Sequence, residues 1–450
     1  MEKFAAEHFF GSLLLLGLFL FLGHVIKALF FRNLIVPPSL IGGTLAFLLG
    51  PELLGGLLVK STPDGWGWNQ SEVPAAVADI WRQMPGYWIT VVFAGLFLGT
   101  KIPSPRQILD ESLPNLAFGY SLAFGQYLVG VFVAVAVLQP LLDTNVLAGA
   151  LIAIGFQGGH GTVAGLSETF SELGFEDGTD LGLGVATLGL ISAIAFGTLM
   201  SNLGRNKNGN QPDETNPDQS ETTPDNQAEE PSFGLQFGIL AFTITVAWIG
   251  LKGLVAVESL LLPEDGFRIF KYVPLFPVAM MVGLVVQLVA ERGKFAHHIS
   301  QKHMAAISGL ALDLLIVAAL GSLSLQTLGA NIGTVLILAS VGVAYNVIIY
   351  FTVARKLFGK SWRIRGLGEL GQSMGTTAIG LILIKRGGSN SADYEKPFSY
   401  KQPFYEPIVG GGLVTALALP LLSNWGPWIF MGVVSVVMVG LGITYRSLKP

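Results

Sequence analysis

Residues Val146–Phe156 form an apolar run that breaks at Gln157-Gly158-Gly159-His160-Gly161-Thr162 and then passes into Ser167-Glu168-Thr169. A helix needs about 20 apolar residues to cross a bilayer, so this run is too short to cross, and the residues after it are too polar to extend it. Non-helical backbone cannot face lipid, and at membrane depth it survives only where protein encloses a wet cavity. The stretch at about 145–174 therefore reads as a re-entrant loop, and that reading decides the fold.

The composition places the loop in a membrane. Of the 450 residues, 51% are hydrophobic and only 12% charged, with a mean hydropathy of +0.59. A soluble domain carries about a quarter charged residues, so a water-soluble enzyme, a disordered chain and a collagen-like repeat are excluded. The 57 Gly and 23 Pro scattered among long apolar runs suit packed, interrupted transmembrane helices. The absence of Cys removes disulfides, thiolate chemistry and Cys-ligated metals, and the net charge of −4 says little about partners. A cleavable leader is not expected, because no small-residue site follows the run from Phe9 to Leu22.

Before the loop, apolar runs of spanning length lie at Phe9–Phe31, Val36–Val59, Met84–Thr100 and Leu113–Leu138, and Leu181–Leu203 comes after it. Residues 206–232 are nearly all Asn, Gln, Pro, Ser, Thr and acids, the composition of a disordered linker. The second half repeats the pattern with spans at Phe233–Leu262, Val273–Ala290, Met304–Leu325 and Ile332–Phe358. A Gly-rich polar segment at 363–390 comes next, and then spans at Pro403–Leu422 and Pro427–Tyr445. Leu199-Met200-Ser201-Asn202-Leu203-Gly204 is echoed by Leu421-Leu422-Ser423-Asn424-Trp425-Gly426.

Charge orients the halves, since Lys and Arg accumulate on the cytoplasmic side. With the N-terminus outside and the linker in the cytoplasm, all but Lys3, Lys60, Arg82, Lys252, Arg268 and Lys271 of the 26 bases fall on the cytoplasmic side. Five spans before the linker invert the second half, so the two Gly-rich segments enter from opposite faces. The expected fold is an all-α polytopic membrane protein of two inverted-topology repeats of about five transmembrane helices. Each repeat has a re-entrant loop, and one extra helix stands at the C-terminus. The units are residues 1–205, the linker at 206–232, residues 233–424 and the extra helix at 425–450.

Paired interruptions meeting near the bilayer middle are what an inverted-repeat transporter predicts. Amides at the start of a short helix suit a substrate carboxylate, while carbonyls and Ser or Thr hydroxyls suit sodium. The residues also carry a resemblance. Gly158-Gly159-His160-Gly161-Thr162 is similar to the first re-entrant loop of the bacterial sodium/glutamate symporter family. Ile35-Val36-Pro37-Pro38-Ser39-Leu40-Ile41-Gly42-Gly43 resembles that family's second helix. In the second loop, Ser373-Met374-Gly375-Thr376-Thr377-Ala378 stands where better-known members carry Gly-Ala-Thr-Pro-Thr-Ala.

The resemblance implies a sodium-coupled secondary symporter that imports L-glutamate, with alternating access and no organic cofactor, in a bacterial inner membrane. Gln157, Gly158, Gly159, His160, Gly161 and Thr162 of the first loop, and Gln372, Ser373, Gly375, Thr376 and Thr377 of the second, are the expected substrate and ion contacts. Sodium is expected at Thr162, Ser373, Thr376 and loop carbonyls. Asp313, inside the apolar run Ala311–Leu320, is a candidate cation site or an interfacial acid. Expected partners are an anionic amino acid and the lipid bilayer, without nucleic acid; a homodimer stays open.

Blander readings stand beside these. His160 could be a hydrogen-bonded structural residue, and the glycines could serve helix packing. Asn115, Asn331 and Asn346 suit interhelical hydrogen bonds. Glu168 and Glu172 suit a wet rim, and Trp66, Trp68, Trp81 and Trp88 an aromatic belt. Gly366-x-Gly368-x-x-Gly371 and Gly371-x-Ser373-x-Gly375 mimic nucleotide and nucleophile motifs but lack the strand–turn–helix setting that gives them meaning. Two alternatives remain open: transport of another organic anion of the citrate or malate type, and an intramembrane hydrolase using Ser373 and His160.

Overall fold

A computed structural model describes residues 6–32, 36–50, 72–204, 231–263, 266–293, 295–387 and 391–447. Nearly all of the expected linker, residues 51–59 of the second span, Trp66 and Trp68 lie outside them. Among the described residues there is no strand, and eight helices are long and apolar enough to cross a membrane. The chain is an all-α, integral multi-pass membrane protein.

The first half runs α1 (Ala6–Phe30), α2 (Pro38–Leu49), α3 (Glu72–Gly95) and α4 (Pro105–Val133), the last continued through a π-helical turn at Ala134–Leu138. A 3₁₀ turn at Val146–Ala150 leads into α5 (Leu151–Gln157), α6 (Gly159–Gly165), α7 (Ser167–Glu172) and α8 (Gly178–Gly204). The second half runs α9 (Phe233–Leu261), α10 (Leu275–Arg292), α11 (Gln301–Gly321), α12 (Leu325–Ala330) and α13 (Ile332–Ile349). Then come α14 (Trp362–Met374), α15 (Thr377–Arg386), α16 (Ala392–Tyr400), α17 (Gln402–Tyr405) and α18 (Leu413–Ser447), which kinks at Gly426.

Local chemistry sets several of these ends. Ser104 and Gln107 form a reciprocal capping box at the start of α4. The Thr376 hydroxyl accepts from Ile379 N at 3.2 Å and starts α15. Several boundaries differ from the sequence reading, among them the start of α4, at Pro105 rather than Leu113. The span expected from Met84 begins at Glu72, because Pro85 sits inside α3 rather than at its start. The span expected at Pro403–Leu422 is interrupted: α17 stops at Tyr405, and Pro407 with Gly410, Gly411 and Gly412 keeps the chain non-helical until Leu413.

α1, α9 and α18 turn Phe9, Phe21, Phe237, Trp248, Ile429 and Val436 outward. An apolar exterior of this kind fits lipid, not water. Trp81 departs from the belt reading. It is fully buried, edge-on to Phe19, and its indole donates to Ser12 O at 3.3 Å. Its place on the inward face of α3 outweighs the amphipathic character that suits Trp to an interface.

The interior is organised about two helical hairpins. Asn145 Nδ2 donates to Gly174 O (3.4 Å), so the segment from the 3₁₀ turn to α7 starts and ends at one place. α14 and α15 form the second hairpin, its base closed where a β-carbon on Gly387 would lie 3.0 Å from the Ile364 side chain. α8 serves as a ruler between them. Its 27 residues extend about 40 Å at 1.5 Å per residue. It begins beside the base of the first hairpin, and near its end Ser201 Oγ donates to Arg386 O (3.3 Å) at the base of the second. At its middle, Thr187 bonds His160 (2.9 Å), and Gly189 packs against Phe156 and Met374 O. The bases therefore lie at opposite ends of one spanning helix, and both tips reach its midpoint.

Because the native chain has no Cys, single replacements report sidedness. Of Lys271→Cys, beside the first base, and Lys360→Cys, beside the second, one is expected to react with a membrane-impermeant thiol reagent on intact cells and the other only in opened membranes. Labelling of both from one side would contradict bases at opposite faces.

Candidate functional site

The two tips touch where each hairpin's helix breaks. The first break is at Gly158 and Gly159; Gly159 has φ +69°, a left-handed conformation that a β-carbon disfavours. A β-carbon there would stand 3.9 Å from the carbonyl oxygen of Gly375, the second break. Gly375 (φ −138°, ψ −99°) leaves helical geometry, and the chain re-enters it at Thr377. Each tip thus presents backbone groups that no intrahelical bond satisfies.

A third non-helical segment, residues 406–412, lies against both tips. Gly411 has φ +87°, and a β-carbon there would come within 2.6 Å of both Thr162 Oγ1 and the Phe93 ring. Tyr405 OH, just ahead of the turn, donates to Gln157 Oε1 at 2.7 Å. On the other side, Glu406 Oε1 accepts from Gln372 Nε2 (2.8 Å) and Thr377 Oγ1 (2.6 Å). Sequence reading missed this element by treating 403–422 as one span. The available signal was Glu406 and Lys401 beside a Gly-Gly-Gly run in an apolar context, since charge at membrane depth is rarely incidental.

Hydrogen bonds tie the tips to the surrounding helices. Ser373 Oγ donates to Asn346 Oδ1 (2.7 Å), and Gln126 Nε2 donates to the same oxygen (3.1 Å) and to Ser373 O (2.9 Å). The Thr187 hydroxyl donates to Leu183 O, so it accepts from His160 Nε2–H. Among the described residues ten buried side-chain polar atoms have no hydrogen-bond partner, and two of them are Gln157 Nε2 and Thr162 Oγ1. A buried polar atom without a partner is costly, and here both sit at the meeting point of the tips.

An ionic network underlies the second tip. Lys401 Nζ is hydrogen-bonded to Glu369 Oε2, and both side chains are buried. Asn115 Nδ2 donates to Glu369 Oε1 (2.9 Å), while Arg365 donates to Asn115 Oδ1. The Lys401 ammonium also lies over the Tyr405 ring, 4.1 Å from its centroid. Lys401 and Arg365 belong, on sequence reading, to the cytoplasmic charge bias, and the fold buries the Lys401 side chain against Glu369.

On the side of the first base, a cavity of about 800 Å³ is lined by Arg82, Thr90, Gly165, Glu168, Asp180 and Phe276, among others. Phe276 stacks on Phe93 (centroids 5.4 Å apart), whose ring lies against Gly411, and Ile89 and Leu315 pack around Gly161. An apolar layer thus separates the cavity from the tips.

Of the expected contacts, Gly159 and Gly375 face each other and Gln157, Thr162, Gln372 and Thr377 reach residues 405–411, while Glu168 lines the cavity beside the first base. Asp313 does not join them: half-buried on α11, it makes no hydrogen bond or ion pair with the tips among the described residues. Nor do Ser373 and His160 pair, their partners being Asn346 and Thr187. Asn115 and Asn346 make the interhelical bonds anticipated for them, and Asn331 donates to Asp177 Oδ2 at 3.2 Å.

Fold and site together define a helical membrane transporter. A family model described as sodium/glutamate symporter matches residues 91–384, which holds the first hairpin and all but the last residues of the second. The chain belongs to the sodium/glutamate symporter family, a family of transporters and not of enzymes. No curated protein matches it significantly.

The ionic network yields a stability prediction. Lys401→Met leaves Glu369 charged and buried, which is expected to destabilise the protein by about 3–5 kcal/mol. Adding Glu369→Gln should recover most of the loss. Denaturation in detergent checks both, and a single variant as stable as wild type would contradict the pairing.

Proposed function

We propose that this protein is a sodium-coupled symporter importing L-glutamate, with substrate and sodium bound together between the two hairpin tips. The observation that carries this reading is the meeting of the tips at the midpoint of α8, Gly159 against Gly375 O, with unpartnered Gln157 Nε2 and Thr162 Oγ1 beside them. Backbone amides at the broken helices suit the carboxylates of an anionic amino acid. The hydroxyls of Thr162, Ser373 and Thr376, with the loop carbonyls, suit sodium. Asp313 takes no part in this arrangement.

Residues 1–205 and 233–424 are proposed as the inverted repeats, joined by a cytoplasmic linker and extended by an additional helix from 425, in a bacterial inner membrane with the N-terminus outside. The cavity beside the first base would then be an outer vestibule, and the layer of Ile89, Phe93, Phe276 and Leu315 the barrier that closes it from the site. Alternating access arises when the tips move against the scaffold of α3, α10 and α11 so that this layer opens and an inner one closes. Sodium and substrate would favour each other because the cation offsets the charge of the anion.

Uptake of labelled L-glutamate into proteoliposomes under an inward sodium gradient is the test, with D-glutamate, aspartate, citrate and malate as competitors. Uptake driven by sodium and competed best by L-glutamate is expected. Indifference to sodium would contradict the reading, and competition chiefly by citrate or malate would move the substrate class. Gly159→Val, which forces a β-branched residue into left-handed backbone at the contact, is expected to abolish uptake while membrane insertion persists. Unimpaired transport by that variant would remove the first tip from the mechanism.

A further inference from the structure

The hydroxyls and carbonyls assigned to sodium above carry no formal charge, yet a carboxylate lies within the same arrangement. Glu406 is only 8% exposed and opens the turn that lies against both tips. Its Oε1 is held by Gln372 Nε2 and Thr377 Oγ1. Its Oε2 receives no hydrogen bond among the described residues and packs on Gly410, where a β-carbon would fall 1.8 Å away. Glu369, the nearby carboxylate, differs in being bonded to Lys401. No cation is bonded to Glu406 among the described residues, although the Lys401 ammonium acts on it through space, and a buried carboxylate without a bonded counter-charge is disfavoured.

A second observation places a ligand here. Thr162 Oγ1, fully buried and without a partner, lies against Gly411 of the same turn. Gln157, whose Nε2 is likewise unpartnered, is held through its other atom by Tyr405, the residue before Glu406.

We propose that Glu406 is the charged group that receives a coupling cation, sodium or a proton, and that its turn is a third element of the binding site. The proposal rests on the transport reading and adds what that reading lacks. With Glu406 bare, its charge repels an anionic substrate from the tips; with the cation bound, the repulsion is gone. Cation and substrate are thereby coupled through one side chain.

Several titratable groups surround Glu406. Lys401 lies between α16 and α17, and Tyr405 precedes Glu406. Tyr120 on α4 stacks on Tyr405 with centroids 5.6 Å apart, Glu369 and Arg365 stand on α14, and His160 is turned to Thr187. Lys401 is bonded to Glu369 and acts on Glu406 only through space, so Glu406 Oε2 stays open to a mobile cation.

Glu406→Gln keeps the size of the side chain and an oxygen for Gln372 and Thr377 while removing the charge. The experiment compares it with wild type in proteoliposomes, measuring L-glutamate uptake against sodium concentration, with choline as replacement, and against pH. If sodium is the cation, the sodium level giving half-maximal uptake is expected to rise about tenfold or more, a loss of about 1.4 kcal/mol. If a proton is the cation, the sodium dependence persists and the pH dependence of uptake flattens. Wild-type dependence on both in the variant would overturn the proposal.

Melting of the purified proteins in sodium against choline, and across pH, reads the site without transport. Wild type should be stabilised by the cation and Glu406→Gln should not; equal stabilisation of both overturns the site. Wild type that fails to transport yet shows this difference would sink the symport reading and keep the cation site. If Glu406→Gln does not fold, Glu406→Asp is measured in its place. It keeps the charge at shorter reach and should raise the half-saturating sodium level or shift the pH profile, and wild-type behaviour there overturns the proposal.

Discussion

Backbone that breaks helix at membrane depth must be walled off from lipid, and the two broken tips set this requirement for the whole molecule. Each tip leaves amides and carbonyls without intrahelical partners, so neither can lie at the periphery. α8 packs along both hairpins, α4 and α13 supply Gln126 and Asn346, and α3 and α11 close the first tip with Ile89 and Leu315. The lipid-facing helices α1, α9 and α18 carry the apolar exterior that lets the polar interior exist.

The site combines fixed charge with open valence. Lys401, Glu369, Asn115 and Arg365 satisfy one another and hold the second hairpin against α4 and the start of α17. Gln157, Thr162 and Glu406 are left with capacity to spare, and they are gathered where the tips and the turn at 406–412 come together. The satisfied network lends rigidity to a region whose remaining polar atoms are placed to take a ligand. The cavity beside the first base stops at the Phe93–Phe276 stack. A modest displacement of those rings would join it to the tips.

Much of the fold was legible because membrane insertion writes itself into composition. The spans read at Phe9–Phe31, Phe233–Leu262 and Ile332–Phe358 fall within a few residues of the helices, α13 continuing through a π turn at Tyr350–Ala354 to Leu357, since about 20 apolar residues leave little freedom. Both Gly-rich interruptions were also visible, and their residues do converge, because a run such as Gly-Gly-His-Gly has no use within an ordinary span. The turn at 406–412 was not visible. Leu413–Leu422 is apolar enough to mask the break before it, and only contacts distant in sequence, Tyr405 to Gln157 and Glu406 to Gln372, reveal what the break does. For the same reason sequence reading gives no sign that Lys401 is buried and puts Trp81 in an interfacial belt. Their burial depends on Glu369 and Phe19, partners that periodicity cannot name. Asp313 illustrates the converse, a carboxylate in an apolar run that is half-buried on α11 and not bonded to the tips among the described residues.

The contact between the two hairpins, based at opposite ends of α8, falls at their broken helices. Thiol cross-linking tests it most directly in a chain without Cys. Cysteines at Gly159 and Gly375, bridged by mercuric ion in native membranes, should hold the two halves together after the linker is cut by protease. Separation of the halves on a denaturing gel, with both thiols shown to be reactive, would contradict the contact on which the site depends.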